Sequence, residues 1–215
     1  PRSTLFPYTT LFRSDPCFLG PDGVDVAALE ARLQDCCNAG QPVFLATTSY
    51  ALSWWLERSK WTTPLPPGSR AMETGGFKGF VARYSAAELT LTARHRLGSE
   101  ASHWVSEYGM TELSSQCYGA NLRAAMRGDV ASEGLIAPPW MRLRVIDPVS
   151  GADVGPGVSG QIAFCDLANV DSVAAIYTQD VGRLLEHGHL VLEGRLQQAP
   201  ERGCSLTALE MLGPV

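Results

Sequence analysis

The sequence predicts an α/β fold: a mostly parallel sheet with crossover helices, followed by a small antiparallel β subdomain. Three observations carry this. Between Asp22 and Tyr108, amphipathic helical segments alternate with short apolar runs, which is the order of a parallel sheet. After Pro138-Pro139 the hydrophobic period changes to two, with tight turns between short strands. The chain has 215 residues, 45% of them hydrophobic, enough to bury a core.

The elements follow in order. Asp22 or Asp25 caps a helix with Val26, Leu29 and Leu33 on one face, stopped near Gly40. Val43 to Thr47 is apolar and reads as a buried strand. Tyr50 to Lys60 forms a helix with Leu52, Trp55 and Leu56 inward, its Trp54-Trp55 pair serving packing. Pro64-Leu65-Pro66-Pro67-Gly68 is a rigid connector. Arg70 to Thr74 is a strand that ends in Gly75-Gly76. Ser85 and Glu88 have the spacing of a capping box for a helix to about Leu97, with Gly98 as its stop. Trp104 to Tyr108 is the next strand. Met141 to Asp147, Gly160 to Phe164 and Gly188 to Leu192 are the later strands, with a turn at Pro148-Val149-Ser150-Gly151.

The formal net charge is −5 and there is no run of lysine or arginine, which argues against binding nucleic acid through its phosphates. No apolar stretch approaches the roughly 20 residues of a membrane helix. The six cysteines are scattered without a C-x-x-C pair, so a reducing, cytoplasmic location is expected, without a zinc or disulfide framework. The four histidines have no metal spacing with acids, and His187-Gly188-His189 reads as a turn.

Glu107-Tyr108-Gly109-Met110-Thr111-Glu112 ends an apolar run and opens a glycine-punctuated loop. Open α/β sheets place their ligand chemistry at such strand ends. The stretch resembles the YGxTE adenylate-binding signature of the adenylate-forming superfamily, the acyl-CoA synthetases and peptide-synthetase adenylation domains. Tyr177-Thr178-Gln179-Asp180-Val181-Gly182 resembles the superfamily's Y-x-T-G-D-x-G, with Gln179 in place of its glycine. Gly194-Arg195 resembles the G-R motif before the superfamily's hinge, and Gly160-Gln161-Ile162 its G-E-[IL] strand. Met72 to Gly79 resembles the matching segment of the LuxE-type acyl-protein synthetases, which activate fatty acids in bacterial luminescence. So does Arg202-Gly203-Cys204-Ser205-Leu206 near the end of the chain.

The resemblance runs from about Ala71 to Leu206. It implies the C-terminal part of an adenylate-forming large domain, with ATP and Mg2+ as cofactors and a long-chain fatty acid as substrate. Under it, Gly75 and Gly76 let the backbone approach adenine and Tyr108 and Gly109 line the base. Thr111 donates to the α-phosphate, Glu112 ligates magnesium, Asp180 holds both ribose hydroxyls, and Arg195 contacts ribose or phosphate. Cys204 accepts the acyl group as a thioester and passes it to an acyl-reductase protein partner. Phe77, Lys78 and Cys117 are further candidates to line the site. The bland alternatives are a strand-to-helix turn with Thr111 as N-cap, and a structural thiol at Cys204. Two other functions stand beside this one: an acyl- or aryl-CoA ligase of the phenylacetate-CoA ligase type, and a non-catalytic nucleotide- or acyl-binding remnant.

Residues 1–14 resemble the translation of a short-read sequencing adapter and are set apart from the fold. Residues 15–195 then form a partial acyl-protein synthetase domain, and 196–215 a hinge and short tail. The superfamily's Ser/Thr/Gly-rich phosphate loop has no counterpart between Asp15 and Gly75. The expectation is that it was lost by truncation, and that the fragment alone adenylates poorly.

Overall fold

A computed structural model of the chain describes residues 17–20, 23–75, 85–129 and 133–196. The expectations for residues 1–14, for Gly76, Phe77 and Lys78, and for Cys204 and the tail after Leu196 lie outside the described residues.

A two-stranded ribbon, β1 (Leu19–Gly20) and β2 (Gly23–Val24), precedes helix α1 (Val26–Ala39). Asp25, not Asp22, is the cap: its carboxylate accepts the Ala28 N–H at 3.0 Å. Gly40 ends the helix with φ 62°, a left-handed conformation that a glycine adopts without steric cost. Leu29, Leu33 and Cys36 recur at helical spacing and are buried.

Strand β3 (Phe44–Thr48) runs directly into α2 (Ser49–Arg58), and the Thr48 hydroxyl oxygen caps it by accepting the Ala51 N–H. Leu52, Trp55 and Leu56 are almost wholly buried. Trp54 stays nearer the surface, where the Arg58 guanidinium lies 3.6 Å from its ring centre. Strand β4 (Arg70–Thr74) pairs parallel with β3, and β5 (Trp104–Tyr108) parallel with β4. Between them, α3 (Ala86–Leu97) starts at Ser85 with both halves of the expected capping box and stops at Gly98.

Beyond β5 the polarity changes. Strand β6 (Cys117–Gly119) returns antiparallel, followed by α4 (Ala120–Arg127) and the short β7 (Leu135–Ile136). Then come β8 (Met141–Ile146), β9 (Gly160–Asp166), β10 (Ala175–Leu184) and β11 (Leu190–Arg195). One nine-stranded ladder results, in the order β3-β4-β5-β6-β7-β11-β10-β9-β8. The expected parallel part with crossover helices is β3 to β5, and the expected antiparallel part continues the same ladder through β6 and β7.

The structure differs from the expectation in several places: β1, β2, β6, α4 and β7 were not expected, and antiparallel pairing already begins at β6. β3 forms an edge of the ladder and Phe44 is 65% exposed, so its apolar run is not buried among the described residues. β10, the longest strand, carries the Tyr177 to Gly182 motif and was not expected as a strand.

The core has two parts. Leu29, Leu33, Leu52, Leu56, Leu89 and Trp104 pack α1, α2 and α3 against the parallel strands. Leu113, Cys117, Leu135, Ile162, Phe164 and Leu190 fill the antiparallel part. Below the end of β4, the buried Glu73 carboxylate accepts from Thr90 of α3 at 3.0 Å and from the Trp104 indole at 3.3 Å. The Ser49 hydroxyl at the start of α2 lies 3.0 Å from Glu73 and 2.6 Å from the Gly75 carbonyl. A buried carboxylate that receives several donors fixes the elements that supply them. Here it ties both helices to the segment entering Gly75.

Candidate functional site

The parallel strands β4 and β5 end at Thr74 and Tyr108, and the motif residues gather at this C-terminal edge. Gly75 follows Thr74 with φ 80°, a turn geometry suited to glycine. The Thr74 hydroxyl donates to the Glu107 carboxylate at 3.2 Å, linking the two strand ends.

Tyr108 is placed from both sides. Its backbone faces Cys117 on β6, and its ring stacks on Phe164 of β9 with centres 5.7 Å apart and planes at 21°. Its hydroxyl donates to the Asp180 carboxylate at 2.6 Å. Burial, and next the negative charge of Asp180, raise the Tyr108 phenol far above its ordinary value, so it stays a proton donor.

Asp180 sits where β10 bulges. Tyr177 faces Ala163 and Val181 faces Gln161, so the three residues between them on β10 oppose only Ile162. Thr178 secures this irregularity: its buried hydroxyl donates to the Ile162 carbonyl at 2.8 Å and accepts the Asp180 N–H at 3.0 Å. The Gln161 amide donates to the Thr178 carbonyl. The second Asp180 oxygen lies 2.9 Å from Arg195 Nε, and Asp180 and Arg195 are facing partners of the β10–β11 pair. Gln179 accepts the Leu196 N–H through its backbone at 3.0 Å.

Thr111 and Glu112 stand exposed in the loop between β5 and β6, where the Thr111 hydroxyl donates to the Glu112 carboxylate at 3.1 Å. They make no hydrogen bond to the Tyr108–Asp180–Arg195 cluster among the described residues. The loop forms no helix, so the strand-to-helix reading of Thr111 does not apply. Cys117 does not line a surface: it is fully buried, 3.8 Å from the Met141 sulfur, and burial followed by the nearby Asp166 pushes its thiol up to about 12. His187 and His189 lie in the turn between β10 and β11, with rings 4.1 Å apart. No group of three or more metal-ligating side chains occurs among the described residues. No helix among them is long and apolar enough to cross a membrane.

Sequence reasoning missed Thr178 as the residue that aims Asp180, and it missed the pair that anchors the Thr111–Glu112 loop. Asp166, at the end of β9 and wholly buried, accepts the Ser115 N–H and the Ser115 hydroxyl, each at 2.9 Å, and the Ala168 N–H at 3.0 Å. Trp140 donates to the same Ser115 oxygen at 2.8 Å. Asn169 accepts the Ser114 N–H at 2.8 Å and donates to the carbonyls of Glu112 at 2.8 Å and Val173 at 3.0 Å. The available signal was a charged residue closing the apolar strand Gly160–Cys165. A groove of about 700 Å³ lined by Phe44, Arg70, Met72, Val105, Tyr118 and Met126 contains none of the candidate site residues.

No family model and no curated protein matches the chain. Solved structures do. An ATP-bound MatB from Rhodopseudomonas palustris is 18% identical at a TM-score of 0.55, over 77% of this chain and 33% of its own. A long-chain-fatty-acid-CoA ligase from Archaeoglobus fulgidus is 20% identical at 0.50, over 78% and 37%. A benzoate CoA ligase from Burkholderia xenovorans LB400 is 17% identical at 0.51, over 79% and 34%. The chain spans about a third of the length of the solved structures it matches. At these identities the likeness is one of fold, and this chain matches the fold of about a third of each of the two CoA-ligase chains.

Proposed function

We propose that the protein to which this chain belongs activates a long-chain fatty acid with ATP as an acyl adenylate and transfers the acyl group to Cys204 as a thioester. The observation that carries the nucleotide part is the 2.6 Å bond between Tyr108 and Asp180, which joins two signature motifs lying 72 positions apart. A chance Asp-x-Gly turn has no reason to meet the tyrosine of a YGxTE segment.

In this reading the acid carboxylate attacks the α-phosphorus of ATP and pyrophosphate leaves. Asp180 binds the ribose diol. Its two oxygens offer about four acceptor positions, of which Tyr108 and Arg195 use two. Arg195 holds the carboxylate and contacts ribose or phosphate. The exposed edge of Tyr108 and the backbone at Gly75, Gly76 and Gly109 receive adenine. Thr111 donates to the α-phosphate, where negative charge grows in the transition state. Magnesium fits Glu112, an exposed hard oxygen donor with no ion pair among the described residues; phosphate oxygens and water would complete its shell. When bound, the ion neutralises phosphate charge.

Cys204, beside Arg202, attacks the acyl carbonyl as a thiolate, AMP departs, and a partner acyl reductase consumes the thioester. The names of the matched structures favour a second reading, in which coenzyme A takes the acyl group and Cys204 has no part.

The test uses the product of the complete reading frame, incubated with labelled fatty acid and ATP, with and without coenzyme A. Hydroxylamine-labile label on the protein, lost in Cys204→Ser while pyrophosphate release persists, is the expected result. Label on coenzyme A alone selects the ligase. Binding of an acyl-adenylate mimic without pyrophosphate release selects a non-catalytic binding protein.

A further inference from the structure

The geometry points to Asp166 and Asn169 as positioning residues that hold the Thr111–Glu112 segment in place from behind, through the main chain of residues 112–115. This rests on the adenylating role proposed above only for what the segment does, and not for how it is held.

Thr111 and Glu112 sit in a turn closed by the Leu113 N–H on the Met110 carbonyl at 3.1 Å, outside any helix or strand, and both side chains are exposed. A turn on the surface samples many conformations unless other contacts order it. Its attachments are therefore what define it. Leu113 is buried and anchors the loop into the core. The main-chain attachments converge on one short stretch at the end of β9 and just beyond it, while Trp140 adds a bond to the Ser115 hydroxyl. Asn169 makes a two-way clasp, accepting from Ser114 N–H and donating to the Glu112 carbonyl. Asp166 adds the Ser115 N–H and hydroxyl.

The chemistry of the clasp is demanding. Asp166 is 0% exposed and receives three donors, so a neutral amide in its place cannot satisfy them. Whichever way an asparagine there is turned, its NH2 faces the N–H of Ser115 or of Ala168. Asn169 must offer two donors to the Glu112 and Val173 carbonyls and one acceptor to Ser114 N–H. Only an amide carries both on one planar group of this size. An aspartate at 169 has the same shape, keeps the acceptor, and turns two donations into oxygen–oxygen repulsions.

Neither hydrogen-bonds a side-chain atom of Thr111 or Glu112 among the described residues; Asn169 holds Glu112 at its main-chain carbonyl. Their effect reaches the site through the backbone, as the partners of a ligand residue orient it. Glu112 is gripped at its own carbonyl, so loss of the clasp displaces the carboxylate that this reading assigns to magnesium.

The experiment uses the full chain and two variants, Asn169→Asp and Asp166→Asn, with two readouts. The first is amide hydrogen exchange. In folded Asn169→Asp, exchange across residues 111–116 is expected to rise about tenfold while β4, β5 and β9 stay protected. Unchanged exchange there, or a rise spread over the whole chain, overturns the proposal. Should Asp166→Asn not fold, Asn169→Asp alone decides.

The second readout is ATP–pyrophosphate exchange in the product of the complete reading frame. The magnesium concentration for half-maximal rate is expected to rise about tenfold in Asn169→Asp, with the KM for ATP little changed. The new negative charge would by itself tighten a cation site, so weaker magnesium dependence reports displacement and not charge. A role confined to stability lowers the rate and leaves the magnesium midpoint in place, which overturns the positioning role. If the unsubstituted protein shows no exchange reaction, the adenylating reading fails, and hydrogen exchange still decides the clasp.

Discussion

Asp180 and Arg195 face each other across the β10–β11 pair, and their side chains close the same distance at 2.9 Å. The ladder thus sets the ion pair, and the ion pair sets the carboxylate that Tyr108 bonds from the other side. Asp180 is the hub of the three, since both of its oxygens are engaged.

The three side chains should contribute unequally. Tyr108→Phe removes one hydrogen bond and is expected to cost about 1 kcal/mol. Asp180→Ala removes two interactions at once, the bond from Tyr108 and the ion pair with the half-buried Arg195, so it should cost more, about 2–3 kcal/mol. Urea denaturation of both variants checks the order, and the reverse order would remove Asp180 from the centre of the site. Under the proposed function Asp180→Ala also raises the KM for ATP more than Tyr108→Phe does.

Cys117 and Cys17 should behave as opposites towards alkylation. Cys17 is exposed, whereas Cys117 is buried with its thiol pushed up to about 12. Iodoacetamide at neutral pH is expected to label Cys17 in the native protein and Cys117 only after denaturation, read by peptide mass spectrometry. The sign of the linkage follows. The folded thiol holds its proton above the ordinary 9.0, so this burial stabilises the fold fully below that value and progressively less as pH rises from 9.0 towards 12. Rapid native labelling of Cys117 would contradict the packing described for it.

The capping box of α3 predicts an acid dependence of opposite sign. Hydrogen bonds from Ser85, first from its backbone and then from its hydroxyl, hold Glu88 below its ordinary 4.5. A depressed carboxylate stabilises the fold above its unfolded value and stops doing so as pH falls through the folded one. Glu88→Gln should therefore narrow the gap in thermal midpoint between pH 7 and pH 3, and Ser85→Ala should lower the midpoint at pH 7. A melting series across that range checks both.

Leu89 is wholly buried between α3 and the parallel strands. Leu89→Ala is expected to cost about 2–5 kcal/mol by opening a cavity there. The same truncation at Leu91, which is 64% exposed on the same helix, should cost little. Chemical denaturation of the pair separates burial from helix propensity.

What was legible in the sequence was mostly local. Ser85 and Glu88 specify their cap within four residues, and Asp25 and Gly40 bracket α1 in the same way. The tyrosine and aspartate segments were visible as short runs in the sequence, and the structure joins them through the Tyr108–Asp180 bond. β10 escaped because its bulge at Thr178 to Asp180 breaks the period-two alternation that marks a strand. Val43 to Thr47 looked buried because apolar runs usually are, yet β3 is an edge here. Asp166 and Asn169 were invisible for a different reason: the Ser115 and Ser114 they hold lie 51 and 55 positions away.

The short strand β7 has a consequence for how the molecule comes apart. It is two residues long, meeting β6 at two registered positions and β11 at one. Main-chain bonding is therefore thinnest midway along the ladder, between the parallel strands and the antiparallel ones. Tyr108 reaches across that waist to Phe164 and Asp180, and Asn169 reaches back to Glu112. These side chains are cross-braces between two panels, and a molecule seated against both Tyr108 and Asp180 would serve as a keystone. Its binding would draw the unfolding of the two panels into a single cooperative event.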